Sequence, residues 1–292
     1  MQISFLIATK NRPKELRLTL NKLKTLLDFS IHEVLVFIDG CKQTELLISE
    51  FNWVKWCISK TSISASPARA ILYKKAKGNI FIGLDDDAIP LSEDFIVSIE
   101  AEFSKDTSIG VLSFQEVRGI FESDVLAKQE IIKRQPYFTS DFVGCGFAIS
   151  NVAYSSIKGF PEFIDIYGEE PCVALQILDA GFNIKYVPEI VVNHRIDIEK
   201  RKQQGKNYFR FEKQLKNSIR FYTVYYPKPV IPVLRLLIHN FKKYAISDKH
   251  YFKLFFKVIF NEIISLESIL KHRSPVKVKT LIAKKKLKGL IY

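Results

Sequence analysis

Apolar and polar positions keep two different periods along the first two-thirds of this chain. Short β-branched or aromatic runs at Ile3 to Ala8, Glu33 to Ile38, Val54 to Ser59 and Asn79 to Leu84 read as buried strands. After Pro13, Leu16, Leu20, Leu23 and Leu27 recur at three and four residues, which predicts an amphipathic helix opened by proline. Ser66 and Pro67 supply an N-cap and an N1 proline for a second helix, and Gly78 supplies its stop. Strands and helices in this order are βαβ units, so the first sheet is expected to be parallel. Further on, an apolar helix from Pro171 to Ala180 closes at Gly181, and Glu189 to Val192 reads as another strand.

Beyond Gly205 the texture changes to long basic and aromatic segments, with Tyr226 to Pro232 as a proline-rich hinge. Phe252, Phe255, Phe256, Ile259, Ile263, Leu266 and Leu270 fall at helical spacing on one wide apolar face that excludes Lys253 and Lys257. Two readings of that face stay open: a helix packed on the preceding domain, or a surface resting on an anionic membrane.

Charge separates the same two regions. Residues 1–199 carry 21 Lys+Arg and 27 Asp+Glu, a balance of −6, whereas 200–292 carry 23 and 4, a balance of +19. The expected organisation is a domain over 1–205, with halves at about 1–90 and 91–205, and a basic, mainly helical region over 206–292. At 292 residues and 47% apolar, the chain can bury a large core, which excludes a disordered or collagen-like protein. No run of about 18 apolar residues is uninterrupted, because Lys228, Arg235, Lys253, Lys257 and Glu262 break the greasiest stretch, so no transmembrane helix is expected. The opening apolar run stops at Thr9 to Pro13, which suits a strand and not a signal peptide. Cys41, Cys57, Cys145 and Cys172 lie far apart with no CxxC pair, a pattern that suits a reducing compartment, and the expected address is the cytoplasm.

Polar groups gather where the strands end: Thr9, Asn11 and Arg12 after the first, Asp39 after the second, Asp85, Asp86 and Asp87 after the fourth. Ligands of open α/β sheets bind along that edge. Asp39-Gly40 is also an ordinary turn, so its role stays open. Three consecutive carboxylates repel one another unless something neutralises them. A hard divalent cation, Mn²⁺ or Mg²⁺, does so with oxygen ligands and commonly shares them with phosphate; a solvated acidic turn is the alternative.

The stretch Ala68 to Asp87 resembles the family 2 glycosyltransferases of the GT-A fold. Ala68, Arg69, Ala76, Gly78, Leu84, Asp85 and Asp87 match the family pattern, while Ala70 and Leu72 stand where it has Asn and Gly. The resemblance spans about residues 3–194. It implies a Rossmann-like mixed sheet sandwiched by helices, with a basic helical region following. It further implies a nucleotide-sugar site of Thr9, Asn11, Arg12, Asp39, Arg69, Asp85 and Asp86, and a metal on Asp87 assisted by Asp85 and His194. Gly144-Cys145-Gly146 looks like the family's small-residue strand, which puts Gly144 and Gly146 on the acceptor and donor-sugar side. Gly168-Glu169-Glu170 looks like its G-E-D motif, with Glu170 as the base that deprotonates the acceptor and Glu169 as the alternative.

The function so implied is inverting transfer of one sugar from a nucleotide-diphosphate sugar, a UDP-sugar favoured, to a glycan or lipid-linked acceptor. No Q-x-x-R-W motif of processive synthases is present. An anionic membrane surface is an expected partner of 206–292, peripherally on the inner face of the cell membrane, and nucleic acid is not. Two rivals remain: a noncatalytic nucleic-acid- or anionic-surface-binding protein, which the basic region suits, and a nucleotidyltransferase, which usually opens with a glycine-rich phosphate loop. Residues 1–20 contain no glycine.

Overall fold

The computed structural model describes residues 1–203 and 205–290. Its described strands form one nine-stranded sheet: β1 (Ile3–Thr9), β2 (Glu33–Asp39), β3 (Lys55–Ser59), β4 (Ile80–Asp85), β5 (Ala88–Pro90), β6 (Ile109–Arg118), β7 (Tyr137–Thr139), β8 (Gly146–Ser150) and β9 (Asn183–His194). The order is β3-β2-β1-β4-β8-β6-β9-β5, with β7 on β9. The first four strands are parallel, as the βαβ pattern requires, and β8 then runs antiparallel to both β4 and β6. The sheet is therefore mixed.

Helices cover both faces. They are α1 (Pro13–Leu26), α2 (Lys42–Glu45), α3 (Ala65–Lys75), α4 (Phe95–Lys105), α5 (Asp124–Gln129), α6 (Asn151–Ser155) and α7 (Glu169–Asp179). After α8 (Ile198–Gln203) come α9 (Tyr208–Tyr225), α10 (Val230–Asn240), a π-helical turn at Phe241–Ala245, α11 (Lys249–Ile264), α12 (Leu266–Leu270) and α13 (Val278–Lys286). Strand alternation splits the core in two. Phe5, Ile7, Val34 and Val36 face the leucines of α1, while Leu6, Leu35 and Phe37 share the opposite layer with Tyr73 of α3 and Val173 and Ile177 of α7.

Local signals misplace several boundaries. Helix α3 opens at Ala65, so Ser66 lies inside its first turn, where its hydroxyl donates to the carbonyl of Pro161 at 2.7 Å instead of capping. Gly78 lies beyond the end of α3 and serves close packing, since a Cβ there would stand 2.7 Å from the backbone nitrogen of Ser4. Helix α7 begins at Glu169, two residues before the expected start, and β9 extends back to Asn183.

The expected apolar face over Phe252 to Leu270 is broken at Ser265, between α11 and α12. The buried line of α11 is Tyr251, Phe255 and Val258 against Phe211, Leu215 and Ile219 of α9. Phe252, Phe256, Ile263, Leu266 and Leu270 are exposed instead. Apolar residues ring α11, so periodicity alone could not choose the packed side. Glu262, expected to break the greasy stretch, is buried in a salt bridge with Arg220. The basic region also joins the sheet domain directly: Val224, Tyr225, Ile269 and Val276 pack with Ile164, Cys172 and Leu175. No helix among the described residues is long and apolar enough to cross a membrane.

Candidate active site

The parallel strands β1, β2 and β4 end at one edge, where Ala8 pairs with Asp85 and Thr9 with Ile38. Four of the expected groups are tied together there. Thr9 donates its hydroxyl to Asp86 Oδ2 at 2.7 Å, and Arg12 reaches both Asp86, at 3.0 Å, and Asp87. Asn11, which carries the chain from β1 towards Arg12, adopts a left-handed φ of 58°. Asp39 accepts from the Ser62 hydroxyl and the Ile63 amide, both at 2.6 Å, and so fixes the loop before α3.

Strand β9 brings His194 to this edge through its pairing with β5, in which Ala88 faces His194. His194 Nε2 stands 3.4 Å from Asp87 Oδ1, and Nδ1 lies 2.5 Å from Glu116 Oε1. Burial would lower the imidazole pKa, but Asp87, Cys145 and Glu116 outweigh it and raise the value to about 12. The consecutive acids diverge. Burial lifts Asp86 to about 7, against the pull of Arg12 and Thr9. Asp87 is buried too, yet His194 and Arg12 bring it down to about 2.

Asp85, Asp87 and His194 each offer a ligand atom within 4.8 Å of the others. Asp87 Oδ1 is buried and has no hydrogen-bond partner. Two carboxylates, one with an oxygen that has only the His194 ring within reach, and an imidazole once it has released its proton to the solvent fit a hard or borderline divalent cation. Glu116, Cys145 and His194 are equally close, but a soft thiolate suits Mg²⁺ or Mn²⁺ less well than a second carboxylate does.

Arg69 lies at the centre of a second cluster. From α3 its Nη1 donates to Glu170 Oε1 at 2.9 Å, and Nη2 donates to Asp85 Oδ1 at 2.8 Å and to the carbonyl of Gly144 at 3.1 Å. The guanidinium also stacks near the rings of Phe147 and Phe160, at 5.9 and 5.6 Å. Burial opposes its charge, but Glu170, Asp85 and Glu169 raise its pKa regardless. The terminal nitrogens of Arg69, which the resemblance puts in the nucleotide-sugar site, donate here to protein oxygens, so that Arg69 gathers the acids.

Glu170 and Glu169 occupy the first turn of α7, after Tyr167 and Gly168 at φ of 66° and 127°. That turn is held from α9: Asn217 donates to Asp165 Oδ1 at 2.8 Å and to the carbonyl of Ile166 at 2.7 Å, while Lys213 and Lys216 pair with the other Asp165 oxygen. The two acids differ in environment. Glu169 is buried with Oε2 unpartnered, and burial beside Glu170 raises its pKa to about 8. Glu170 keeps a side-chain exposure of 19% and lines a cavity of about 720 Å³ together with Gly144 and Asp141. Gly146, expected on the same side, is turned into the core, where a Cβ would stand 2.7 Å from Val192 Cγ2.

A second cavity, of about 880 Å³, is lined by Thr9, Arg12, Asp39 and Asp86. Asp85, His194, Tyr167 and Arg210 line both cavities. Glu116, Asp141, Tyr167 and Arg210 escaped sequence reasoning. Glu116 had one visible signal, a carboxylate near the end of an otherwise apolar run from Ile109, whereas Arg210 is one cation among the many of the basic region.

No protein-family profile matches the chain, and no curated protein matches it in sequence. Solved structures do match. GalNAc-T7 with UDP, GalNAc and Mn²⁺ aligns at a TM-score of 0.63 and 20% identity over 91% of this chain and 57% of that one. S. aureus TarS 1-349 with UDP-GlcNAc aligns at 0.61 and 12% identity, covering 94% of this chain and 84% of that one. The mannosyltransferase PcManGT from Pyrobaculum calidifontis, with GDP-Man and Mn²⁺, aligns at 0.58 and 12% identity, covering 97% and 83%. The chain thus spans little more than half the length of GalNAc-T7. The mixed sheet flanked by helices is the fold of GT-A glycosyltransferases, as expected from the sequence.

Proposed function

We propose that this protein transfers a single sugar from a nucleotide-diphosphate sugar to the hydroxyl of a glycan or lipid-linked acceptor, with inversion. The observation that carries the reading is the wall between the two cavities. Asp85 and His194, two of the three metal-capable residues, separate a cavity lined by Thr9, Arg12 and Asp39 from one lined by Glu170. A donor in the first and an acceptor in the second would meet across that wall. A UDP-sugar is favoured, since GalNAc-T7 and TarS were each solved with UDP or a UDP-sugar.

Asp85, Asp87 and a neutral His194 would hold Mn²⁺ or Mg²⁺, which supplies charge stabilisation for the departing nucleoside diphosphate. Glu170 accepts the proton of the acceptor hydroxyl as its oxygen attacks the anomeric carbon from the face opposite the leaving group. Arg69 orients that carboxylate and ties it to Asp85, so the base and the metal-binding edge share one anchor. Oriented this way, the reacting groups need little reorganisation. We place the reaction in the cytoplasm, at the inner face of the membrane, because basic side chains flank the exposed apolar residues of α10 and α11.

The test is a thermal-shift panel of UDP, GDP, TDP and CDP and their sugars, with and without Mn²⁺. A Mn²⁺-dependent rise in Tm with one nucleotide is the expected result. A folded protein that responds to none of them would overturn the donor assignment.

A further inference from the structure

A separate cavity, of about 650 Å³, opens between α9, α10 and α13. Arg235 and His239 enter it from successive turns of α10, Lys284 and Lys285 from the end of α13, Tyr222 from α9 and Tyr226 from just beyond the end of α9. No Asp or Glu lines it among the described residues. Arg235 and Lys285 are exposed and make no ion pair with any described residue. Lysines in the last turn of α13 are favoured by the helix dipole whatever their role, but Arg235 stands in mid-helix and has no such reason to be there. Lys284 feels the nearby Asp141, but Arg235 and Lys285 converge on the cavity without an acid and repel one another, and an anion relieves that cost.

The cavity adjoins the one that holds Glu170. Ser140 lines the basic cavity and Asp141 the other; His239 lines the basic cavity and Asn240 the other. Lys284 ties this boundary by donating to the carbonyl of Ser140 at 2.9 Å. On the neighbouring stripe of α10, Val230, Leu234 and Ile238 are all more than half exposed, at 67%, 52% and 55%. One helix therefore presents cations and an apolar stripe side by side.

We propose that this cavity binds a phosphate or diphosphate ester carried by the acceptor, whose sugar enters the Glu170 cavity. The inference rests on the sugar-transfer reading for the acceptor, but the anion site can be tested without it. Binding of inorganic pyrophosphate to the full chain is measured by calorimetry in EDTA, which silences the metal site, alongside UDP binding with Mn²⁺. In R235E/K285E, pyrophosphate affinity is expected to fall at least about tenfold, since charge-assisted bonds to phosphate are lost. UDP binding should be unchanged. K24E/K42E makes the same charge change on exposed lysines of the sheet domain and should bind pyrophosphate normally.

Equal loss in both double variants would overturn the site in favour of diffuse charge, and so would unchanged binding in R235E/K285E. Wild-type protein that binds UDP but no pyrophosphate would overturn the site and leave the donor reading intact. Wild-type protein that binds pyrophosphate at Arg235 and Lys285 but no nucleotide would do the reverse. R235Q/K285Q repeats the test without reversing charge. Competition for bound pyrophosphate distinguishes the sources. Displacement by phosphatidic acid vesicles identifies a lipid-borne phosphate, and displacement by a soluble sugar phosphate but not by the vesicles identifies a soluble phosphorylated glycan.

Discussion

Glu170 takes up the space that a side chain at Gly144 would need: a Cβ on Gly144 would stand 2.9 Å from the carboxyl carbon of Glu170, and closer still to its Oε1. The obstacle is the tip of a flexible side chain, so Gly144→Ala should fold with little change in Tm while displacing the carboxylate. A misplacement of that size is expected to lower kcat about 100-fold. Full kcat in Gly144→Ala would mean that the reaction does not use Glu170 where it now stands.

Arg69 should matter to stability as well as to geometry. It is buried among Asp85, Glu169 and Glu170, and its removal leaves those carboxylates uncompensated. Arg69→Gln is expected to cost about 3–5 kcal/mol, the usual penalty for breaking a buried ion pair from one side. Urea unfolding monitored by fluorescence measures it. A loss below about 1 kcal/mol, typical of an exposed pair, would show that Arg69 is not their main counter-charge.

The acids of the proposed reaction separate by what their removal should cost. Asp87→Ala should abolish the Mn²⁺-dependent part of nucleotide stabilisation and lower turnover by orders of magnitude. Glu170→Gln should leave nucleotide binding intact and lower kcat about 10²–10⁴-fold, the range for a lost general base. Glu169→Gln should retain far more activity than Glu170→Gln. The opposite ranking, read from initial rates with nucleotide and metal saturating, would transfer the base role to Glu169.

Glu169 also sets a pH dependence of stability. Its pKa stands near 8 in the folded protein, raised by burial and by the neighbouring Glu170, against an ordinary value of 4.5. Between those values the native state keeps a proton that the unfolded chain has released, so stability falls as pH rises through this window. Glu169→Gln removes that contribution. The wild-type protein is expected to lose about 1–3 kcal/mol more than the variant between pH 5.5 and 8.5, the cost of an unmatched buried polar group. Parallel profiles for the two proteins would mean that Glu169 ionises without penalty.

The sheet and its acidic edge were legible because strands reveal themselves by composition and because Asp85, Asp86 and Asp87 follow one of them directly. Partnerships were not. Arg69 and Glu170 lie 101 residues apart, and nothing local distinguishes an arginine that grips phosphate from one that gathers carboxylates. Gly144 and Gly146 look alike in sequence, yet one borders Glu170 and the other is pressed against Val192, because Gly144 lies in the turn before β8 while Gly146 is the first residue of the strand. The helix start at Ala65 was hidden for a related reason. Ser66 and Pro67 satisfy the capping pattern, but tertiary contact with Pro161 takes the serine hydroxyl elsewhere. The packed side of α11 was illegible because apolar residues surround the helix.

That last ambiguity leads to a test of membrane attachment. Phe256 and Phe260 are exposed by 48% and 64% on the side of α11 away from α9, and Lys249 and Lys253 are exposed on the same helix, whereas Lys257 pairs with Glu212 of α9. A face built this way gains from apolar insertion and from anionic lipid together, and the second contribution is screened by salt over about 8 Å at physiological ionic strength. The wild-type chain is therefore expected to float with phosphatidylglycerol vesicles, to float less as salt is raised, and to bind phosphatidylcholine weakly. F256E/F260E removes exposed rings and should leave Tm unchanged while abolishing flotation. Undiminished flotation of the double variant would assign binding to charge alone, and failure of the wild-type chain to float with either vesicle would leave the exposed rings of α11 to a protein partner.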